Sequence, residues 1–348
     1  MPAMNGRTRL ASVDALRGLT VAAMLVVNDP GDWGHVFAPL EHAAWHGCTP
    51  TDLIFPLFLF IVGVSITLAG PTTGGSVVWR ALRIVALGLL LHAVAHWAMD
   101  TRAFRPLGVL QRIGICYGCA GVLALHTRAR TQWGVFALIL VGYGALLAWG
   151  GQLAKADNLA SRLDTALLGR FAYEFDAATG LGHDPEGLLA TLPALATTLL
   201  GVRAGAWLRH GALRTLCAAA LGAFLLGGAW ALWQPLNKQL WTPSFVLWSG
   251  GWALALLALA HVLVDRLGAP PLGRAFGVNA IAAYAGAWLT TCALEGLHWS
   301  APLYAHGFAW LAPTLTAEGA SLAYALAFTA FWWVLMRGLA RRGVRIRI

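Results

Sequence analysis

Charged residues are scarce in this sequence of 348 amino acids. Only 11% of the residues are charged and 58% are hydrophobic, whereas soluble domains carry about 25% charged residues. A chain of this size has too few charged residues to cover a water-soluble surface. The composition therefore excludes an ordinary cytosolic enzyme and a disordered chain. The 5 Cys residues are an odd number and provide no complete disulfide framework.

Motifs for nucleotides or metals are also lacking. The sequence has no Walker-type loop and no G-x-G-x-x-G after a strand, which excludes a nucleotide-binding fold. No set of His, Cys and carboxylate residues has the spacing of a metal site, so we predict that no metal is bound. Cys116 and Cys119 lie in an apolar stretch and are interpreted as buried thiols.

Long apolar stretches are abundant. Each is about 20 residues long, enough for a helix to cross about 30 Å of hydrocarbon. We predict an all-α, polytopic integral membrane protein in which residues 1–348 form one transmembrane domain with an extra-membrane insertion at about 151–186. About ten transmembrane helices are predicted, at 10–28, 52–70, 80–98, 106–125, 132–150, 187–208, 212–233, 244–265, 276–294 and 320–340.

Basic residues predict the orientation of these helices. With a cytoplasmic N-terminus, 17 of the 24 Lys and Arg residues fall in inside segments and 7 in outside segments. This asymmetry follows the positive-inside rule and predicts that both termini are cytoplasmic. It also explains most of the net charge of +9 without a nucleic-acid partner.

The predicted outside face is acidic and rich in His. Residues 29–51 contain no Lys or Arg, but they hold Asp29, Asp32, Glu41 and three His residues. Burying such groups at helix ends is costly unless they have partners. Their concentration at one face favours a cavity that opens to that side.

Two stretches carry specific motifs. Residues 9–18 read Arg-Leu-Ala-Ser-Val-Asp-Ala-Leu-Arg-Gly and lead to Val-Asn-Asp at 27–29. Residues 42–58 read His-Ala-Ala-Trp-His-Gly-Cys-Thr-Pro-Thr-Asp-Leu-Ile-Phe-Pro-Leu-Phe. Together they closely resemble the heparan-α-glucosaminide N-acetyltransferase family of transmembrane acyltransferases. Weaker pieces of the same pattern follow in order, at 108–113, 184–193, 235–245 and 277–280.

The resemblance implies transfer of an acetyl group from cytoplasmic acetyl-CoA to the amine of an amino sugar at the periplasmic or exoplasmic face. It maps the family's catalytic His and Asn onto His42 and Asn28. It further implies a compact bacterial-type enzyme in the inner membrane, with a glucosamine-type acceptor and a homodimeric assembly. Two alternatives stay open: an O-acyltransferase of an envelope polysaccharide, and a sugar transporter without acyl transfer.

His42 also suits this reaction on chemical grounds. A neutral imidazole titrates near pH 6.5 and can take a proton from the attacking amine, or it can itself become acetylated. Asn28 could donate to an oxyanion or orient the His ring, or it could simply end its helix. Asp52 opens the second span, where it could orient His42, bind the amine or favour the helix N-terminus.

Further candidates lie at the same face. A buried Arg within the membrane needs a carboxylate, a carbonyl group or a ligand, so Arg112 is either paired with an acid or bound to substrate. Trp241 could stack on a sugar ring or belong to an interfacial aromatic belt. The predicted substrate-binding residues are Gln111, Arg112, Asp184, Glu186, Asn237, Lys238 and Trp241.

The inside face offers cations for the nucleotide end of CoA, which carries several negative charges. Each of these arginines could equally act only as a topology determinant. The predicted acetyl-CoA-binding residues are Arg17, Arg83, Arg203, Arg274 and, from the resemblance, Asn279.

Overall fold

The computed structural model describes residues 10–70, 72–99 and 103–346. Arg9, the first residue of the first motif, lies outside these ranges, as do both chain termini. The described chain is mainly helical. Its longer helices are Ala11–Asn28 (α1), Ile54–Leu68 (α2), Gly74–Ala98 (α3), Val109–His126 (α4), Ala129–Trp149 (α5), Leu159–Leu168 (α6), Thr191–Arg209 (α7), Leu213–Trp230 (α8), Pro243–Ala260 (α9), Ala280–Gly296 (α11) and Ala317–Arg341 (α14).

Short elements complete the chain. The helices Arg274–Val278 (α10), Ser300–Gly307 (α12) and Ala312–Leu315 (α13) lie between longer ones, and a π-helical segment, His261–Arg266, extends α9. Two strands, Glu174–Asp176 (β1) and Leu181–His183 (β2), form an antiparallel hairpin. The hairpin and α6 belong to the predicted insertion, which therefore has secondary structure of its own.

Eight helices in the described part of the chain are long and apolar enough to cross a membrane. The all-helical membrane architecture predicted from the composition is therefore confirmed. The two other predicted spans fall on α7 and α11, which are helical without being among those eight. α3 begins at Gly74, so Arg80 and Arg83 lie within a helix and not in a loop before it.

Glycine allows α2 and α7 to pack backbone against backbone. A Cβ added at Gly63 would lie 2.0 Å from the Thr198 carbonyl oxygen, and one at Gly201 would lie 2.0 Å from the Phe60 carbonyl oxygen. Only glycine permits such an approach, as is common between membrane helices. The two helices run in the same direction, so both begin at the same end of the bundle.

Polar segments gather at the two ends of the bundle. One end, here called the His42 end, comprises residues 29–53, 103–108, 150–190 and 231–242. The opposite end, here called the Asp14 end, contains the start of α1. There Ser12 donates its backbone N–H to Asp265 at 3.1 Å, and the Asn279 side chain donates to the Val344 carbonyl at 3.1 Å.

Candidate active site at the His42 end

His42 is held by a buried carboxylate. Asp52 lies in the 3₁₀ turn Thr51–Leu53 that leads into α2, and its side chain is 1% exposed. His42 Nδ1 lies 2.8 Å from Asp52 Oδ1, while the other carboxylate oxygen accepts the backbone N–H groups of Ala43 at 3.1 Å and Thr49 at 3.0 Å. An ionised Asp52 makes Nδ1 the donor, so Nε2 is left as the basic nitrogen.

The loop that carries His42 is anchored by its own turn and by a neighbouring loop. Thr49 Oγ1 donates to the Glu41 carbonyl at 2.7 Å, which closes the turn onto Asp52. Gly47, at φ +120°, donates its N–H to the Leu236 carbonyl at 2.8 Å. These contacts fix the position of the ring, whose side chain is 48% exposed and open to a ligand.

Lys238 contacts the same ring. Its Nζ lies 3.1 Å from His42 Nδ1, 3.2 Å from His42 Nε2 and 3.8 Å from Asp52 Oδ1. The side chain is 16% exposed. Burial lowers the pKa of Lys238, and the Asp52 carboxylate opposes that effect. The structure thus joins His42, Asp52 and Lys238 into one cluster, of which Lys238 was expected only as a substrate-binding residue.

A sequence signal for Lys238 exists. The sequence contains only two lysines, Lys155 and Lys238. The Lys155 side chain is 40% exposed and pairs with Glu174 at 2.6 Å on the insertion. A lone lysine within a motif is therefore more informative in this chain than the individual arginines.

Asn28 lies apart from this cluster. It is the last residue of α1 and its side chain is exposed, without a hydrogen bond to His42 or Asp52 within the described structure. The next residue, Asp29, accepts a hydrogen bond from Thr291 Oγ1 at 2.6 Å, and burial raises its pKa to about 6. The structure therefore does not bring Asn28 into contact with His42, although both lie at the same end of the bundle.

Arg112 is fully enclosed between α4, the insertion and the 231–242 loop. Its Nη2 donates to the Gly187 carbonyl at 3.1 Å, and its guanidinium lies 5.2 Å from the ring centre of Trp241. Its Nε and Nη1 are buried without a hydrogen-bond partner within the described residues. The neighbouring Gln111 donates to the Pro106 carbonyl at 3.3 Å. Both side chains lie beside the site through these contacts, and neither contacts His42.

The carboxylates of Asp184 and Glu186 are neutralised by an arginine that sequence analysis missed. Arg105 forms ion pairs with both acids, and its guanidinium stacks 4.3 Å from the ring centre of Tyr173. Arg112 is therefore not the direct partner of either acid. All of these groups tie the insertion to the start of α4, which explains why the acids are buried.

Trp241 has no free face for a sugar. It is 1% exposed, its Nε1 donates to Thr197 Oγ1 at 3.1 Å, and its backbone φ is +53°. Burial thus removes both interpretations made from the sequence, the stacking platform and the aromatic belt.

Asn237 is also structural in part, since its Oδ1 accepts the Leu240 N–H at 2.7 Å while its Nδ2 faces His46 Nδ1 at 3.3 Å.

The insertion touches the His42 loop through Trp45 and His183. Trp45 Nε1 donates to the Leu153 carbonyl at 2.7 Å, and its ring centre lies 5.1 Å from that of His183 in an edge-on arrangement. His183 Nδ1 lies 2.7 Å from Ser161 Oγ. Burial lowers the pKa of His183 to about 4, so this His is neutral at pH 7.

The predicted acetyl-CoA-binding residues lie in the half of the bundle nearer the Asp14 end but form no single cluster. Arg17 pairs with Asp14, and Arg203 Nη1 donates to Gln132 Oε1 at 3.2 Å. Arg83 and Arg274 are exposed. Asn279 is occupied by the segment near the C-terminus, since its Oδ1 accepts the Ile346 N–H at 2.9 Å and its Nδ2 binds Val344.

An apolar crevice lies between α1, α2, α4 and α11. It is small, and its lining is apolar. Phe58 lines it less than two turns beyond Asp52, and Ile113 follows Arg112. Its lining residues are Val21, Met24, Phe58, Val109, Leu110, Ile113, Ala280, Ile281 and Tyr284.

These features define a class of protein: a polytopic helical membrane protein with a carboxylate-oriented histidine at one end of its helices. The family model described as "Heparan-alpha-glucosaminide N-acetyltransferase, catalytic" matches residues 9–232. The chain belongs to this family, and the resemblance inferred from its motifs is confirmed. His42, Asp52 and Asn28 lie within the matched range, whereas Lys238 lies beyond it.

Two curated relatives carry the same name. The chain is 29% identical to the heparan-alpha-glucosaminide N-acetyltransferase of Homo sapiens and 27% identical to that of Mus musculus. Each comparison covers 80% of this chain, with 52% of the human and 53% of the mouse protein. The chain thus spans about half the length of the curated relatives it matches.

Proposed function

We propose that this protein transfers the acetyl group of cytoplasmic acetyl-CoA to the amine of a glucosamine-type amino sugar at the periplasmic face of the bacterial inner membrane. The observation that carries the proposal is the His42–Asp52 pair, in which a buried carboxylate holds Nδ1 at 2.8 Å and directs Nε2 away from it. Membership of an N-acetyltransferase family supplies the reaction class.

The chemistry follows from this geometry. An amine attacks a thioester only in its neutral form, so its surplus proton must leave as the bond forms. His42 Nε2 takes that proton from the nitrogen and returns it to the departing sulfur. The C–N bond forms and the C–S bond breaks, giving the N-acetyl sugar and free CoA. We favour this direct transfer over an acetyl-histidine, because an acyl-imidazole hydrolyses readily at a site that is open to water.

The distribution of charge supports the proposed sidedness. The Asp14 end corresponds to the arginine-rich face predicted to be cytoplasmic, and the His42 end to the face with few cations. In this proposal the pantetheine arm passes between the helices toward His42, and the apolar lining of the small crevice at Phe58 and Ile113 is compatible with that arm. In this proposal residues 1–348 act as one domain, with both termini cytoplasmic and a homodimer as the assembly.

Oriented vesicles test the proposal. Acetyl-CoA is supplied on the side that bears the termini and radiolabelled glucosamine on the other, and the product is treated with hydroxylamine, which cleaves esters and leaves amides. We expect a hydroxylamine-stable product on the glucosamine side. Acetylation only when donor and acceptor share a side would refute the threading route. A hydroxylamine-labile product would identify an O-acyltransferase, and counterflow of unmodified sugar without acetyl-CoA would identify a transporter.

A further inference from the structure

The cluster at His42 contains a cation that the proposed reaction has not yet used. Lys238 Nζ lies 3.2 Å from His42 Nε2, the nitrogen at which the proton is exchanged. We propose that Lys238 is a catalytic residue whose ammonium donates to the thioester carbonyl oxygen as that oxygen becomes negatively charged. This inference rests on the proposed function and assigns a further role within the same site.

The position of Lys238 relative to the ring supports this role. Its Nζ lies 3.1 Å from Nδ1 and 3.2 Å from Nε2, while Nδ1 keeps its contact with Asp52 at 2.8 Å. Reacting atoms must approach to about 3–3.5 Å, and the base must lie within hydrogen-bond reach of the amine. A carbonyl placed for attack beside Nε2 is therefore within reach of the Lys238 ammonium.

The other polar groups nearby are committed elsewhere or point away. Arg105 is paired with two carboxylates, and Arg112 is enclosed against Gly187 and Trp241. Asn28, which the family resemblance assigns to catalysis, is exposed at the end of α1 without a hydrogen bond to this cluster in the part of the chain described. Among the described residues, Lys238 is thus the cation in contact with His42.

The loop that carries Lys238 is built to hold it. Asn237, the preceding residue, accepts the Leu240 N–H at 2.7 Å and receives support from Thr242 Oγ1, which accepts its N–H at 3.2 Å. Gly47 binds Leu236 from the His42 loop. A preorganised donor of this kind loses little free energy to reorganisation when the charge develops, which is the basis of oxyanion stabilisation.

The step balances without any further reactant. The amine nitrogen bonds to the carbonyl carbon, the carbonyl electron pair moves onto oxygen beside Lys238, and His42 Nε2 takes the proton from nitrogen. The C–S bond then breaks, the oxygen returns its electron pair to carbon, and His42 gives the proton to sulfur. Lys238 keeps its proton throughout.

Steady-state kinetics separate this role from simple binding of the sugar. We expect Lys238→Met to lower kcat by about 10²–10³-fold, with little change in the KM for glucosamine, because the interaction is made in the transition state. Lys238→Arg keeps the charge in a different geometry and should recover part of that loss. Lys155→Met removes the other lysine of the chain and should leave kcat within about twofold, since exposed ion pairs contribute little.

Each outcome bears on the inference. A folded Lys238→Met enzyme with kcat within about twofold of wild type would overturn it, and a raised KM with unchanged kcat would make Lys238 an acceptor-binding residue instead. Lys238→Gln gives the same comparison if the Met variant does not fold, and binding of a ketone analogue of acetyl-CoA reports an intact donor site. A wild-type enzyme that forms no product would refute the proposed function itself, whereas failure of the variants alone refutes only the role of Lys238.

Discussion

Replacing Asp52 by Asn tests how Asp52 orients His42 and sets its tautomer. The carboxylate lies 2.8 Å from His42 Nδ1 and accepts the backbone N–H groups of Ala43 and Thr49 at 3.1 and 3.0 Å, and the Thr49 hydroxyl lies 3.1 Å from the oxygen that those two share. An amide has one oxygen and one NH₂ group, so it can serve the two backbone donors only by turning its NH₂ toward the ring. His42 would then accept at Nδ1 and carry its proton on Nε2.

The magnitude follows from this change of tautomer. An Nε2 that already holds a proton cannot take one from the amine, so Asp52→Asn should cost much of the contribution of a general base, about 10²–10⁴ in kcat. The free energy of unfolding should change less than the activation free energy, because the two backbone hydrogen bonds survive. The contact with the ring changes from a hydrogen bond to a charged group, which contributes about 1.5–3 kcal/mol to the free energy of unfolding, to a neutral one, which contributes about 0.5–1.5 kcal/mol.

A matched pair elsewhere in the chain provides the control. Asp32 Oδ2 lies 2.8 Å from His35 Nδ1, the same distance as in the His42–Asp52 pair, but this pair is exposed. Turnover of acetyl-CoA with glucosamine should therefore be nearly unchanged in Asp32→Asn. If purified, folded Asp52→Asn turned over within about threefold of wild type, the proposed orientation of His42 by Asp52 would be refuted.

Three further predictions concern the ranking of residues, the topology and the pH dependence of stability. His42→Ala should nearly abolish turnover without loss of expression, and Asn28→Ala should reduce it less; equal losses in purified protein would contradict that ranking. In a Cys-free background, an impermeant thiol reagent applied to the outer face should label a Cys placed near residue 165 but not one near residue 130, and the reverse would overturn the topology. The pKa of buried His183 is about 4 and that of an unfolded His about 6.5, so the unfolded state binds more protons between these values. The free energy of unfolding should therefore fall as pH decreases from about 6.5 toward about 4, and His183→Gln should lessen this slope in denaturation curves.

Local features of the site were predictable from the sequence, and contacts between distant loops were not. Asp52 lies ten residues after His42, and their motif placed both at one helix end before the structure showed the 2.8 Å contact. Lys238 is 196 residues from His42. No periodicity or spacing encodes a contact of that separation, because it arises only when the complete bundle brings the two loops together.

Burial was the second property that sequence analysis could not supply. A Trp near a predicted helix end is compatible with an interface, a ligand or a core, and Trp241 proved to be core because Thr197 and Arg112 cover it. The acids Asp184 and Glu186 likewise required a partner, but several arginines were available. Arg105 became that partner because the insertion folds back onto the start of α4.

The glycine contact between α2 and α7 gives the site a fixed reference point. At Gly63 and Gly201 the two helices touch through backbone atoms, and no side chain separates them. A change of side-chain rotamer therefore cannot let one helix slide past the other at this point. Asp52 precedes this rigid pair and keeps its position, whereas His42 and Lys238 extend toward it from loops. Asp52 therefore stands on the most rigid part of the bundle, and the contacts of Gly47 and Thr49 hold the two loops to that fixed reference.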